Sequence, residues 1–409
     1  MAHGMVIIGA GQAGVQISES LRAGGYTGEI NLLGDEPYPP YHRPPLSKAW
    51  LSGEIDAAQL TMRAPEALAR KNITLRAGVK VSAIDTVAHT VVLADGSTLG
   101  YDGLALATGA LPRKLSLPGA DAQGVLALRT RDDASTIEHH LQMCAGKNLP
   151  VVVIGGGFIG LEVAATARKR GLEVTVLEAA PRLLGRVLAP VLSDWYAQLH
   201  TGHGVSIVFN AQVSGIRSED GLVTGVVADG KTFPAGLVVV GIGVTANDEV
   251  ARAAGIACDR GIIVDACART SVPGIVAAGD CTARKLDDGS LLRLESVQNA
   301  TEQGRSGAAA LLGQERPFVA TPWFWSDQYD SKLQMAGLSA GADNWSVRGI
   351  LASGSFSVFH YRGDRLVAVD SVNDGKIHLL ARKLLDAKVS PVPVQASDIT
   401  FELDGLLKK

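Results

Sequence analysis

Two stretches of this 409-residue chain repeat one glycine spacing: Gly9, Gly11 and Gly14 in 9-GAGQAG-14, and Gly155, Gly157 and Gly160 in 155-GGGFIG-160. The chemistry open to such a loop is the binding of a pyrophosphate. Its first glycine permits a tight turn, its second lets backbone approach the phosphates, and its third lets a helix pack closely on a strand. The helix that follows offers its N-terminal N–H groups to the anion. One copy alone says little, because many glycine-rich turns hold nothing. Here each copy follows an apolar run, 5-MVII-8 or 151-VVVI-154, opens a helical pattern, and leads to a second run near an acid. In the second copy that run is 174-VTVLE-178, and the Glu178 carboxylate suits a ribose 2′-hydroxyl while repelling a 2′-phosphate. NADH is therefore expected over NADPH, with Arg182 and Arg186 at its pyrophosphate or adenine. In the first copy Gly34 takes the acid's place and Asp35 comes one residue late.

A third stretch, 37-PYPPYHRPPLSKAW-50, puts five prolines into nine residues and then delivers Lys48. Proline fixes φ and removes a donor, which excludes an ordinary helix or a central strand. So stiff a segment serves to hold something still. A lysine on a flexible stem is useful electrostatically only where its backbone is fixed. If buried it needs a carboxylate partner. Glu162, two residues beyond Gly160, reads by itself as an acid in a helix's first turn, complementing the dipole.

The elements that must position these groups follow from the same reading. Two dinucleotide sites in one chain suit a flavoprotein that takes hydride from a nicotinamide, because the flavin stays bound while the nicotinamide exchanges. The strand 103-GLALATG-109 ends in Ala107, Thr108 and Gly109. The strand 270-TSVPGIVAAGD-280 ends in Gly279 and Asp280, whose carboxylate could accept from a ribityl hydroxyl or could simply form a turn. Residues 299–313 read as a helix capped by Asn299 or Thr301, with its positive end available to an anionic flavin. In 322-PWFWSDQ-328, strand alternation puts Trp323 and Trp325 on the face opposite Phe324, a core candidate.

Composition limits the alternatives. The length suggests two or three domains, and 46% hydrophobic residues supply their cores. A formal charge of −3 gives no general attraction to nucleic acid. No uncharged apolar run is long enough to span a bilayer, and the N-terminus shows no signal-peptide pattern, so the chain reads as cytoplasmic. The cysteines at 144, 258, 267 and 281 form no CxxC or CxxxxC pair, which excludes a sequence-local redox disulfide and an obvious metal-ligand set, and they read as core thiols.

The order of glycine loop, ATG, glycine loop and GD resembles the two-dinucleotide flavoprotein disulfide reductase superfamily of the glutathione-reductase style. Within it, RPPLSK (43–48), RLESVQNA (293–300) and PWFWSDQY (322–329) resemble the ferredoxin reductase components of bacterial oxygenase and P450 systems, over essentially the whole chain. The resemblance implies an α/β fold of two Rossmann-like domains, the NAD domain inserted in the FAD domain, plus a C-terminal α+β domain. The boundaries expected are 1–112 with 242–317 for FAD, 113–241 for NAD, and 318–409 for the last domain, near flavin and ferredoxin. It implies FAD contacts at Gly9, Gly11, Ala13, Gly14, Asp35, Arg43, Pro45, Lys48, Val81, Ala107, Thr108, Gly109, Arg129, Gly279, Asp280 and Val297. It implies NAD contacts at Gly155, Gly157, Phe158, Ile159, Gly160, Glu162, Glu178, Arg186, Gly241 and Glu295. Pro45 is implied against the isoalloxazine, and Lys48, paired with Glu162, near its N5 and O4. Trp325 is implied between flavin and ferredoxin. Arg129 read without the resemblance is a surface residue at a helix start.

The departures matter too. Disulfide-reducing relatives need a CxxxxC or a single cysteine where this chain has its proline segment, so thiol chemistry is not expected. The expectation is an FAD-dependent NADH:ferredoxin oxidoreductase, a monomer or weak homodimer, feeding a [2Fe–2S] ferredoxin and through it a Rieske-type oxygenase or a P450. The alternatives are a monodehydroascorbate- or quinone-type reductase, a rubredoxin reductase, or a non-enzymatic NADH-sensing protein.

Overall fold

The computed structural model describes residues 3–408. Short runs that are apolar throughout specify strands buried on both faces, and both glycine loops grow out of such strands. In the first copy these elements are β1 (Met5–Ile8), α1 (Gln12–Ala23), β2 (Ile30–Gly34), β3 (Ile73–Ala77) and β4 (Gly103–Leu106). In the second they are β5 (Val151–Ile154), α2 (Phe158–Lys169), β6 (Val174–Glu178), β7 (Ser206–Phe209) and β8 (Leu237–Val240), with α3 (Pro190–Gly202) between β6 and β7.

The repeat extends to sheet order. One parallel sheet runs Ile275–Ala277, β4, β1, β2, β3, and the other runs Val125–Leu126, β8, β5, β6, β7. Each copy inserts a three-stranded antiparallel meander before its last long strand, over 81–100 in the first and 213–234 in the second. Register matches as well. Ile8 lies opposite Leu33 and Leu106, as Ile154 lies opposite Leu177 and Val240. Gly34 is therefore the counterpart of Glu178, and Ala107 of Gly241.

The chain forms two compact units: residues 1–42, 56–111 and 244–320 make one, and 43–55, 112–243 and 321–409 the other. The core of the first unit joins Ile7, Ile17, Leu32 and Ala105 on one face of its sheet and Val6, Leu33, Leu104 and Leu106 on the other. In the second unit the residues after 320 form a five-stranded antiparallel sheet. Its order is β9 (Trp323–Gln328), Ser331–Gly337, Arg365–Val372, Ser355–Arg362, Asn344–Ile350. Helix Gly375–Asp386 covers it with Ile377, Ala381 and Leu384 against Phe359, Tyr361 and Val369.

Three details differ from the sequence reading. Residues 43–55, read within the first domain, pack with the second unit: the Thr166 hydroxyl donates to Ser47 O, Arg170 donates to Leu51 O, and the Arg131 guanidinium lies 5.2 Å over the Trp50 ring. The strand read before Gly279 is only Ile275–Ala277. The helix read from 299 begins at Val297, because Ser296, with extended backbone, accepts from Asn299 N–H and is the N-cap. Asn299 instead donates its amide to Leu294 O and Gln303. The four cysteines are free thiols, three buried and Cys258 partly so. Among the described residues, no helix is long and apolar enough to cross a membrane.

Candidate functional site

The two loops can be tested glycine by glycine for what the protein itself requires. Gly9 and Gly155 have φ of +109° and +105°, a region that disfavours side chains. A Cβ on either would also meet the next strand's backbone, at Ala107 O (2.1 Å) or Gly241 O (2.5 Å). A Cβ on Gly14 or Gly160 would meet the loop's own first carbonyl, at 1.9 Å from Gly9 O and 2.3 Å from Gly155 O. Fold geometry thus explains the first and third glycines. It does not explain the second. A Cβ on Gly11 meets nothing within 4 Å, and one on Gly157 meets only Gly241 O at an ordinary 3.8 Å. Both residues are N-caps with extended backbone and no side-chain cap for the first-turn N–H groups of α1 and α2. A bare backbone beside open space, with donors aimed into it, fits a pyrophosphate at both loops. Ala13 is buried beside Gly14 on α1, and Ile159 at the start of α2 is 39% exposed.

The acid positions differ between copies. Glu178 ends β6 and accepts Gly156 N–H at 2.6 Å on one oxygen and Ala180 N–H at 2.7 Å on the other. It therefore fixes the loop through both of its oxygens. A Cβ on its counterpart Gly34 would lie 2.9 Å from the Ala10 Cβ, so this register leaves no room for an acid there. Asp35 is exposed, whereas Glu36 is half-buried and receives the Tyr41 hydroxyl. Glu36 is a site candidate the sequence reading missed, and its place two residues beyond β2 was the available signal. Arg182 is a correction. Its guanidinium donates to Leu188 O, Gly185 O and the Ser193 hydroxyl, binding its own loop, while Arg186 is exposed.

The proline segment forms a 3-10 turn at Pro44–Ser47, with proline at its first positions, where a missing N–H costs nothing. Arg43 donates to Arg129 O at 2.8 Å. Arg129 directly precedes Thr130, the N-cap of helix Arg131–Lys147, in a capping box with Asp133. Lys48 follows the turn, donates to Pro44 O at 3.1 Å, and its Nζ lies 2.8 Å from Glu162 Oε2. Glu162 lies in the second turn of α2 and is 5% exposed, so it does not answer the helix dipole from the first turn. The Ser47 hydroxyl donates to Oε2 and the Ser326 hydroxyl to Oε1, the latter at 2.6 Å.

Val81 opens a meander strand with its side chain in the core. Gly109 (φ +71°) and Gly279 (φ +86°) turn the chain sharply after their strands, and the Thr108 hydroxyl donates to Asn247 O at 2.5 Å. Asp280 is half-buried, and Arg293 donates to its carbonyl at 3.4 Å and to the exposed Glu295 carboxylate at 3.1 Å. Val297 occupies the first turn of its helix. On β9 the alternation holds: Phe324 rests 4.9 Å from Phe158, while the Trp323 and Trp325 rings lie 5.6 Å apart on the other face.

The model of the pyridine nucleotide-disulphide oxidoreductase family matches residues 3–304, and that of the reductase C-terminal domain matches 323–407. Rhodocoxin reductase from Rhodococcus erythropolis is 47% identical, over 98% of this chain and 93% of its own. The crystal structure of the ferredoxin reductase for the CYP199A2 system of Rhodopseudomonas palustris superposes with a TM-score of 0.94 at 44% identity, over 98% of this chain and 99% of its own. The reductase in the covalent putidaredoxin reductase–putidaredoxin complex also gives a TM-score of 0.94, at 42% identity over 100% and 99% of the two chains. Two glycine loops, each with a second glycine its own fold does not need, stand in a chain that belongs to the pyridine nucleotide-disulphide oxidoreductase family and carries that family's reductase C-terminal domain.

Proposed function

We propose that this chain is an FAD-dependent NADH:ferredoxin oxidoreductase that supplies a [2Fe–2S] ferredoxin, and through it an oxygenase of Rieske or P450 type. The observation that carries the reading is the pair of open second glycines, Gly11 and Gly157, each beside uncapped helix N–H groups. The relatives' own partners and systems, putidaredoxin and CYP199A2, support the choice of acceptor. FAD, when bound, accepts hydride from NADH and gives up electrons singly, which joins a two-electron donor to a one-electron iron–sulfur acceptor.

The first loop and α1 would hold the FAD pyrophosphate, Asp280 would accept from the ribityl chain, and the N-terminus of helix Val297–Leu311 would offer positive charge to the anionic flavin. The second loop and α2 hold NADH, with Glu178 at its ribose. Lys48 would supply positive charge near N5, and the 2.8 Å ion pair with Glu162 would hold its Nζ in place there. Trp325 lies on the path to ferredoxin. In this reading residues 1–112 with 242–317 serve FAD, although 43–55 pack with the second unit, 113–241 serve NAD and 318–409 the ferredoxin side, in a cytoplasmic protein. Anaerobic NADH titration of the purified yellow protein, with and without a [2Fe–2S] ferredoxin, tests this. Bleaching of the flavin by NADH and its reoxidation by ferredoxin are expected. A well-folded colourless protein overturns the reading.

A further inference from the structure

Four buried side chains, with the half-buried Tyr329 at the far end, form a hydrogen-bonded line that ends on Glu162. Ser326 Oγ donates to Glu162 Oε1 at 2.6 Å, Gln328 Nε2 donates to Ser326 Oγ at 3.2 Å, and His200 Nε2 lies 2.8 Å from Gln328 Oε1. Tyr329 Oη stands 3.4 Å from His200 Nδ1 and its ring stacks on His203 at 3.7 Å. Exposures are 0% for Ser326 and His200, 1% for Gln328 and 5% for Glu162. Every donor direction is fixed from the acid end. A carboxylate only accepts, so the Ser326 hydroxyl points to Glu162. Gln328 must then present its NH2 to Ser326 and its carbonyl to His200, which leaves the His200 proton on Nε2. Burial pushes the His200 pKa down to about 4, which keeps the ring neutral in that role. The amide in the middle neither gains nor loses a proton in this range, so the line fixes orientation and does not conduct protons.

We propose that Ser326, Gln328 and His200 are positioning residues that hold the Glu162 carboxylate turned toward Lys48. Oε1 is taken by Ser326, which leaves Oε2 for Lys48 at 2.8 Å and for Ser47. Ser326 and Gln328 lie on the inward face of β9, the strand that carries Trp325, so one strand sets both groups. The link to electron transfer rests on the function proposed above; the geometry of the pair does not.

The test uses the FAD-bound enzyme with Ser326→Ala, and with Gln328→Met in case the first variant does not fold. Crystal structures of the variants are expected to show the Glu162 carboxylate rotated and Lys48 Nζ outside ion-pair distance. The flavin midpoint potential is expected to move to more positive values, as for Glu162→Gln, because either change leaves the Lys48 charge less neutralised. Ser326→Ala added to Glu162→Gln is expected to move it no further, a non-additivity that general loosening of the fold does not produce. An unmoved Glu162 in both variants, or fully additive potential shifts, overturns the proposal. A rotated Glu162 with unchanged potentials, including that of Glu162→Gln, upholds the positioning role and removes the pair from the flavin's neighbourhood.

Discussion

Gly11 and Gly14 stand three residues apart and answer to different demands. Gly14→Ala drives a Cβ into Gly9 O, and overpacking of that kind costs roughly 2 kcal/mol or more, so thermal unfolding of the FAD-free protein is expected several degrees lower. Gly11→Ala meets open space in an extended backbone and is expected to leave that melting temperature unchanged. FAD affinity is expected to fall by about tenfold or more, close to 1.4 kcal/mol. Equal melting losses in the two variants would remove the argument for a ligand at Gly11. Glu178→Arg replaces an acceptor by a cation and also releases the Gly156 and Ala180 N–H groups. NADH kcat/KM is expected to drop and the NADPH/NADH preference to rise by about tenfold. An unchanged preference would place Glu178 away from the ribose. Both residues could be picked out as candidates from sequence because the strand, loop and helix that place each one are contiguous. Ser326 could not, since its bond to Glu162 joins residues 164 positions apart. Arg182 was misread for a related reason: its nearest acceptors are the carbonyls of its own loop, which motif spacing does not reveal.

The strand Trp323–Gln328 shows how far a pattern of period two carries. Its alternation separates two tryptophans from Phe324, Ser326 and Gln328, and the fold keeps that division. Trp325 is half-buried, and its neighbour Trp323 carries the Arg382 guanidinium at 5.1 Å. Trp325→Ala is expected to leave NADH-dependent ferricyanide reduction nearly intact and to lower kcat/KM for ferredoxin by about tenfold. A raised KM marks lost docking, and a lowered kcat at saturation marks a lost electron path. Equal loss with both acceptors would make Trp325 a support of the fold. Helix ends were less legible. Asn299 is a good cap by type, but Ser296 reaches the helix first, and only the backbone there, φ −145° and ψ 153°, distinguishes them.

Across the whole molecule, burial of histidine sets an acid limit. His200 and His378 are both held to about 4, chiefly by desolvation, against an ordinary 6.5. Between those values the unfolded chain takes up protons that the folded chain refuses, so stability is lost as pH falls from about 6.5 toward 4. Each histidine can contribute up to roughly 3 kcal/mol, at about 1.4 kcal/mol per pH unit. Melting temperature is expected to decline over that window, and His200→Asn, whatever it does to stability at pH 7, is expected to flatten the slope. A slope identical to the parent's would assign the acid limit elsewhere. The duplicated sheet was only partly visible in the sequence: its two glycine loops stand out, whereas the shared strand order depends on pairings such as Ile275–Ala277 with β4 that no local pattern announces.

The segment holding Lys48 belongs to a different compact unit from the residues on either side of it, so the chain passes between its two units five times in six segments. This has a consequence for the order in which a ribosome delivers the polypeptide. The first unit needs residues as late as 311 before its last parallel strand and helix exist, and the second needs Ser326 and Gln328 before Glu162 is fully partnered. No single proteolytic cut therefore separates the two units, and a stop codon that spares the first unit, after residue 320, removes the last segment of the second. Truncation cannot isolate the second unit: a chain ending at residue 320 keeps both glycine loops and both parallel sheets but loses Ser326, Gln328 and the five-stranded sheet.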